Sequence, residues 1–387
     1  MRYFELFLTA LKLGCISFGG PVAHLGFFHE EYVVKKKWLT DSFYADLVAI
    51  SQFLPGPASS QVGMAVGYLQ EGIPGAILCW LGFTLPSAII LMIAGMCFTD
   101  LNLLSSSTFI HGLKIAAVPV VAHALWEMAK KLTPDRERVL IALLSAGLIF
   151  FFKSSQAQFA VLILSGLYGY YFFNKIDETK TEFLFMGSRK TGFVFCLIFF
   201  SLLLILPGLR FLYPHHIFSL MDSFYRAGSL VFGGGHVVLP MLQAEVTPPG
   251  WVSESHFMAG YGLSNAIPGP LFAFSAYLGF VSKISPNGWI GGFLCLIFSF
   301  LPAFLLIVGV LPFWDELRKK RSMRKIMQGL NAGVVGLLLA ALYHPVITSS
   351  LFTLKDFVIS LVGFFLLQKL KWSSWIVVSI CVLFFSL

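Results

Sequence analysis

Long apolar runs dominate this chain of 387 residues. Five of them reach the length of about 20 residues that a helix needs to cross a bilayer. These five lie at residues 75–98, 108–129, 192–212, 288–312 and 326–343. Shorter runs lie at 5–18, 139–152, 157–173, 218–232, 355–369 and 373–387, and proline breaks two further apolar regions, 42–70 and 256–281. Only 12% of the residues are charged and 57% are hydrophobic, so the sequence predicts an all-α polytopic membrane protein rather than a soluble one.

The charged residues and cysteines narrow the range of partners. The formal charge is +8, but Lys and Arg fall mostly in short polar connections, which is the usual pattern of cytoplasmic loops. We therefore expect a lipid bilayer as partner and no nucleic acid. The six cysteines lie within or beside apolar runs without CxxC spacing, so we interpret them as buried apolar residues rather than as disulfides or metal ligands. Walker A and GxGxxG sequences are absent, and we expect no cofactor.

The chain repeats itself. Phe18-Gly19-Gly20 matches Phe232-Gly233-Gly234 at an offset of 214, and Pro55-Gly56-Pro57 matches Pro268-Gly269-Pro270 at 213. Trp38 matches Trp251 at 213, and later landmarks match at 216 and 217. We interpret this as a duplication, with a first repeat at 1–173, a linker with one extra hydrophobic helix at 174–213, and a second repeat at 214–387. Two equivalent halves with interrupted helices are typical of secondary transporters.

Each Pro-Gly-Pro element is expected to end one helix and begin another. The new helix would expose its first amides and the positive end of its dipole, an arrangement that attracts anions. An amide side chain precedes each element by three residues. The candidate binding residues of this kind are Gln52, Pro55, Gly56, Pro57, Ala58, Ser59 and Ser60, and, in the second half, Asn265, Pro268, Gly269, Pro270, Leu271, Phe272 and Ala273. A simple kink or surface loop is the alternative, which the repetition disfavours.

The Phe-Gly-Gly elements also predict helix ends. Their glycines permit positive φ and close approach of backbone or ligand. Helix packing through small residues explains them equally well. The residues concerned are Gly19, Gly20, Gly233, Gly234 and Gly235.

Two cations occupy equivalent places inside apolar helices. Lys12 lies six residues before Phe18, and Arg226 lies six residues before Phe232. A charge at membrane depth costs at least about 2.5 kcal/mol and usually faces a cavity or a partner, although snorkelling to the interface is the alternative. Few carboxylates are expected nearby to pair with these cations, which leaves room for a negatively charged substrate. Candidates for a coupling proton are Glu31, Asp46 and Glu245. The histidines lack HExxH spacing, so we expect no metal site.

Residues 16–38, ISFGGPVAHLGFFHEEYVVKKKW, together with the QFLPGPASSQ and NAIPGPLF segments, closely resemble the chromate ion transporter family in its long-chain, two-domain form. The resemblance covers essentially the whole chain. It implies an inner-membrane carrier that expels chromate, a tetrahedral dianion shaped like sulfate, driven by the proton gradient. It also implies two halves of opposite orientation.

The family's signature residues can be carried over position by position. They are Phe18, Gly19, Gly20, Pro21, His24, Trp38, Gln52, Pro55, Gly56, Pro57 and Gln61, and, in the second half, Phe232, Gly233, Gly234, Gly235, Pro240, Trp251, Pro268, Gly269 and Pro270. Asn265 departs from the family pattern, which commonly has Gln there.

These observations favour a proton-coupled oxyanion transporter and not an enzyme. We expect Lys12, Arg226, Gln52 and Asn265 to cradle the dianion together with the amides that follow Pro57 and Pro270. The expected partners are chromate or a sulfate-like oxyanion and protons, with a homodimer left open. A sulfate or organic-anion carrier, a passive channel and a membrane-embedded lipid-modifying enzyme remain alternatives, although the carboxylate cluster that such an enzyme needs is not visible.

Overall fold

The computed structural model describes residues 2–18, 20–99, 107–152, 155–173, 188–232, 238–348 and 350–386. These residues form helices and connecting turns, without strands. The first half contains α1 (Arg2–Ile16), α2 (Gly20–Phe28), α3 (Asp41–Phe53), α4 (Ala58–Thr99), α5 (Ser107–Leu132), α6 (Arg136–Phe151) and α7 (Ser155–Phe172). Next comes α8 (Arg189–Leu212). The second half contains α9 (His216–Leu230), α10 (Val238–Val246), α11 (Glu254–Ser264), α12 (Phe274–Phe280), α13 (Gly288–Val310), α14 (Trp314–Lys319), α15 (Arg321–Ala341), α16 (Leu354–Gln368) and α17 (Ser374–Ser386).

The long apolar runs are confirmed as helices of membrane-spanning length. Helices α4, α5, α8, α13 and α15 contain the five segments of the described chain that are long and apolar enough to cross a bilayer. The six shorter runs are also helices, namely α1, α6, α7, α9, α16 and α17. The predicted all-α fold in two helical halves is therefore confirmed. Residues 174–187 of the expected linker (174–213) lie outside the described residues, and α8 occupies most of the rest, so the linker's boundaries stay a prediction.

The two proline-broken regions contain short helices that begin at equivalent caps. The side chain of Thr40 accepts a hydrogen bond from the Phe43 amide at the start of α3. Ser253 lies 213 residues later and caps α11 in the same way, through the His256 amide. Such caps satisfy an amide that the first helical turn leaves without a partner. Both helices then stop just before a Pro-Gly-Pro element, at Phe53 and Ser264.

The chain reverses direction inside α4. Glu71 and Gly72 have non-helical backbone angles, and Gly72 has a φ of +62°. Gly67 and Gly75 lie in backbone contact, although residues eight apart in a straight helix would be about 12 Å apart. Residues 58–70 therefore fold back along residues 73–99. In the second half Gly279 and Gly291 make the same contact between α12 and α13, so the reversal is repeated.

The later helices of each half pack against the other half. Helix α5 lies against α16 and α17, and α15 lies against α6 and α7. The two halves also meet directly, through α4 with α12 and α13 and through α5 with α15. The core is thus shared, and the two halves are interlocked instead of being separate domains. Apolar side chains on α8, such as Phe193, Leu204 and Phe211, are exposed, as expected of a helix that faces lipid.

Candidate functional site

The two Pro-Gly-Pro elements form turns of the same shape, which we call the first PGP turn (residues 55–57) and the second PGP turn (residues 268–270). Gly56 has a φ of +125° and Gly269 a φ of +102°. Side chains rarely tolerate this region of backbone space, so glycine is required at both positions. Helix α4 begins at Ala58, directly after the first turn, as predicted. A short 3-10 turn, Leu271–Ala273, follows the second.

Each PGP turn is hydrogen-bonded to the opposite half. The Gly56 amide donates to the carbonyl oxygen of Val231 at 2.7 Å, and the Gly269 amide donates to that of Ser17 at 3.0 Å. Ser17 and Val231 are separated by 214 residues, the register of the repeat, and each lies one residue before a Phe-Gly-Gly element. The structure therefore brings each PGP turn to the start of the other half's Phe-Gly-Gly element. Gly19, Gly233, Gly234 and Gly235 themselves lie outside the described residues.

Each PGP glycine also packs tightly against a helix of the opposite half. A Cβ atom at Gly56 would lie 2.9 Å from the Cβ atom of Ala303, and one at Gly269 would lie 2.7 Å from Ser87 Oγ. Ser87 and Ala303 follow Pro86 and Pro302, which are themselves equivalent. A hydrogen bond and a packing contact thus hold each turn, and the two arrangements correspond residue by residue.

His24 connects the first half's elements. Its Nδ1 atom lies 3.3 Å from Ser59 Oγ in the first turn of α4, and it also hydrogen-bonds to the backbone of Ser17. The ring is buried and meets the Phe83 ring edge-on at 5.5 Å. Since Ser17 accepts from Gly269, His24 lies between the second PGP turn and the helix that follows the first one.

The predicted amide side chains have different environments. Gln61 is buried and its Nε2 atom donates to the Pro55 carbonyl at 2.8 Å, which closes the first PGP turn from within. Asn265 is half-buried and donates to the Tyr261 carbonyl at 2.7 Å. Gln52 is exposed near the end of α3. Among the backbone amides, that of Ala273 donates to Pro270 at 2.9 Å and is therefore used within its own turn.

Both cations are paired, so the expectation that carboxylates are scarce near them was wrong. Lys12 Nζ lies 2.8 Å from Glu31 Oε2. Arg226 makes a two-pronged contact with Asp222, at 3.0 and 2.8 Å, and reaches Glu245 Oε2 at 3.0 Å. Lys12 and Arg226 are equivalent, and so are Glu31 and Glu245, because each pair is 19 residues apart. The repeat therefore preserves an ion pair between the first helix of each half and the segment after its Phe-Gly-Gly element.

The second-half pair belongs to a larger network. Arg210 Nη1 lies 3.0 Å from Asp222 Oδ2, and Ser223 Oγ donates to Glu245 Oε2 at 2.6 Å. The side chains of Asp222 and Glu245 are only 3% and 7% exposed. In the first half, by contrast, Lys12 is 51% exposed and Glu31 is 7% exposed. Buried carboxylates with several partners are held firmly, so the two equivalent pairs differ in how easily they can separate.

The remaining candidates lie near these elements. Phe18 contacts Trp375 of α17, with ring centroids 5.4 Å apart, and Phe232 packs against the main core. Asp46 is buried in α3. The backbone of Gly20 and Pro21 begins α2. Throughout the described ranges, no three His, Cys, Asp or Glu side chains are grouped as they would be to hold a metal ion.

Sequence reasoning missed the acceptors Ser17 and Val231 and the network residues Asp222 and Arg210. The repeat register could have revealed one part of this arrangement. Lys12 and Glu31 have the same spacing as Arg226 and Glu245, and opposite charges preserved at one spacing in two repeats favour a contact. No pattern in the neighbouring sequence indicates the hydrogen bonds from Gly56 to Val231 and from Gly269 to Ser17.

Comparison with known proteins agrees with this architecture. The chromate transporter family model matches residues 4–170 and 218–386, one segment in each half. The chain is 26% identical over 375 residues to an uncharacterised transporter of Methanocaldococcus jannaschii, covering 94% of this chain and 89% of that protein. It is 25% identical over 351 residues to a chromate transport protein of Pseudomonas aeruginosa, covering 87% and 80%. With the chromate transport protein of Cupriavidus metallidurans it shares 24% identity over 340 residues, covering 87% and 81%.

No solved structure matches the chain. The two matched segments of the family model nevertheless include most of the helices described above, and they contain both PGP turns and both ion pairs. Five helices in the described part of the chain are long and apolar enough to cross a bilayer. On these grounds the chain is a multi-pass membrane protein that belongs to the chromate transporter family.

Proposed function

We propose that this protein exports chromate across the inner membrane in exchange for protons and thereby confers chromate resistance. Family membership supports a role in chromate transport, and the curated relatives from Pseudomonas aeruginosa and Cupriavidus metallidurans are named chromate transport proteins. Export, proton exchange and placement in the inner membrane are our proposals. They rest on the resemblance described above and on the charged groups of the site.

The observation that carries the proposal is the reciprocal bonding of the PGP turns. Gly56 donates to Val231 and Gly269 donates to Ser17, so both interrupted helices meet the opposite half at equivalent points. Interrupted backbone at membrane depth is tolerated where protein or a wet cavity surrounds it. Transporters place their substrate sites between such equivalent segments and alternate access by moving one half against the other. A dianion between the turns would meet first-turn amides of α4 and the positive end of its dipole.

The equivalent ion pairs are the proposed coupling groups. Glu31 faces Lys12, and Glu245 faces Arg226. Each cation lies five residues before the carbonyl that accepts the opposite half's bond, which is about 7.5 Å along a helix. A charge change at either carboxylate is therefore close to the PGP turns. We propose that a proton taken up by these carboxylates, or by Asp46, accompanies the return of the carrier after the anion has left.

Flux through purified protein in liposomes tests this function. Vesicles with chromate inside and an imposed proton gradient should release chromate faster than vesicles without the gradient. A passive channel would release chromate at a rate that does not depend on the gradient. If sulfate at a low concentration abolished chromate flux, the result would instead favour a sulfate carrier. Competition by organic anions would likewise favour an organic-anion carrier.

A further inference from the structure

Different side chains surround the helical residues that directly follow the two PGP turns. In the second half, the Phe272 ring meets the Phe300 ring at 5.7 Å in a T-shaped contact. Phe274 packs on Phe257 at 5.1 Å and on Tyr261 at 5.9 Å. All five rings are buried, none of them more than 1% exposed. Aromatic side chains therefore fill the space beside the second helix start.

The first half has polar side chains at the equivalent positions. The repeat register matches Phe272 and Phe274 to Ser59 and Gln61, at an offset of 213. It matches Phe300 to Thr84 at an offset of 216, the offset of the Pro86 and Pro302 landmarks. Since Phe272 and Phe300 touch in the second half, the repeat register predicts that Ser59 and Thr84 face each other in the first. Ser59, Gln61 and Thr84 are all buried.

Three buried polar atoms near the first helix start have no hydrogen-bond partner in the described part of the chain. Ser60 Oγ, Thr84 Oγ1 and Gln61 Oε1 are buried and have no hydrogen-bond partner within the described part of the chain. A buried polar atom that makes no hydrogen bond costs about 1–3 kcal/mol. Ser60 and Gln61 lie in the first turn of α4, where amides and the helix dipole favour an anion, and the repeat register places Thr84 beside that turn. The second half has aromatic rings or Ala273 at the equivalent positions, which need no hydrogen bonds. The unpartnered polar atoms of the first half therefore point to a bound ligand.

From this asymmetry we infer that the protein binds one oxyanion per chain, at the first PGP turn, and that the second PGP turn is a structural counterpart without cargo. The inference rests on the proposed function and restricts the binding site from both PGP turns to the first one. The hydroxyl groups of Ser60 and Thr84 donate to the anion together with the first amides of α4. Gln61 Oε1 is an acceptor and suits a protonated oxygen of the cargo. His24 holds Ser59 in place.

Calorimetric titration of the purified protein with chromate tests the inference. The expected stoichiometry is one chromate per chain. Ser60→Ala and Thr84→Val each remove one hydrogen bond to a charged ligand, so each should raise Kd roughly 10- to 100-fold. Neither variant should lower the temperature of thermal unfolding in the absence of chromate, because each removes a buried hydroxyl that has no hydrogen-bond partner among the residues the structure describes. If the hydroxyl had only a structural role, its removal would lower the unfolding temperature of the protein and leave Kd unchanged.

Ser360→Ala is the matched control. Ser360 Oγ is also buried with no partner among the described residues, but it lies on α16, and its removal should leave Kd as it is. Two equal sites per chain, or an unchanged Kd in both Ser60→Ala and Thr84→Val, would overturn the inference while leaving the proposed function intact. A wild-type protein that binds no chromate would overturn the proposed function, and the inference with it.

Discussion

The amide of Gly56 donates a hydrogen bond to the carbonyl oxygen of Val231 at 2.7 Å, which ties the first PGP turn to the second half of the chain. The bond from Gly269 to Ser17 is its counterpart. Because the same two positions exchange partners, the halves are related by an approximate two-fold rotation, as in a symmetric dimer. Any movement of one half against the other must carry or break these bonds, so the PGP turns are coupled to the motion that transport requires.

The first prediction concerns the two PGP glycines. Gly56→Ala and Gly269→Ala should each cost about 2–4 kcal/mol of folding free energy, since each adds backbone strain and a clash. The clashes are with Ala303 and Ser87, respectively. The measurement is the thermal unfolding temperature of each purified variant, which should fall in both.

Two other glycines separate strain from crowding. Gly72 has a φ of +62° but nothing within 4 Å of an added Cβ, so Gly72→Ala should show strain alone and a smaller loss. Gly208 lies inside α8 with open space around it, and Gly208→Ala should be neutral or slightly stabilising. If Gly56→Ala behaved like Gly208→Ala, the contact between the turn and the opposite half would be absent in the membrane protein.

The second prediction concerns the cations. Lys12→Ala should abolish chromate export while the protein stays in the membrane, because Lys12 is half-exposed and, within the described residues, pairs with one carboxylate. Arg226→Ala should also abolish export but should unfold at a lower temperature. Removing one partner of a buried ion pair costs about 3–5 kcal/mol, and Asp222 and Glu245 both depend on Arg226. Flux and thermal unfolding measured on the same preparations distinguish the two effects.

A double variant checks that the stability loss comes from the unpaired carboxylate. Combining Arg226→Met with Glu245→Gln should recover part of the stability that Arg226→Met alone loses, since a neutral amide has no charge to compensate. Normal export by both Lys12→Ala and Arg226→Ala would remove these cations from the transport scheme.

The third prediction concerns proton exchange. An amide cannot take up a proton at neutral pH, so Glu31→Gln or Glu245→Gln should weaken the dependence of chromate flux on an imposed proton gradient. Glu31→Gln is the cleaner variant, because Glu31 forms an ion pair with Lys12 alone among the described residues, whereas Glu245 belongs to a network of four charged side chains. Flux is measured with and without the gradient in the same liposomes. Full gradient dependence in both variants would point to Asp46 instead.

The fourth prediction concerns orientation. Lys37 and Gly250 are equivalent residues that both have positive φ, at 53° and 77°, in the turns before Trp38 and Trp251. Inverted halves would place these turns on opposite sides of the membrane. In a cysteine-free background, Lys37→Cys and Pro249→Cys should therefore react with a membrane-impermeant maleimide from opposite sides. Labelling of both from one side would show that the halves are parallel.

Much of the fold could be predicted from the sequence, because helix length, proline breaks and the repeat are local signals. The breaks at Pro55 and Pro268 appear where proline and positive-φ glycine require them. The break at Gly72 agrees with the sequence, in which one apolar region ends at residue 70 and the next begins at 75, but the tight reversal that brings Gly67 against Gly75 was not predicted. The sequence separates the two apolar regions, and only the backbone angles at Glu71 and Gly72 show that the chain turns back on itself there.

The site was harder to predict than the fold. The importance of the PGP turns follows from local chemistry, but their partners Val231 and Ser17 lie in the opposite half. No residue pattern indicates whether α5 packs within its own half or on α16 and α17 of the other. The pairing of Lys12 with Glu31 depends on the path of the chain after α2, which the apolar periodicity does not describe.

Chromate release from liposomes that contain purified protein is the most direct test of a gradient-driven oxyanion carrier with a site at the PGP turns. Wild-type protein should release internal chromate faster when the outside is acidified, Ser60→Ala should slow that release, and Ser360→Ala should not. A release rate that is the same with and without the gradient, or the same in chromate-loaded liposomes that contain no protein, would contradict the account.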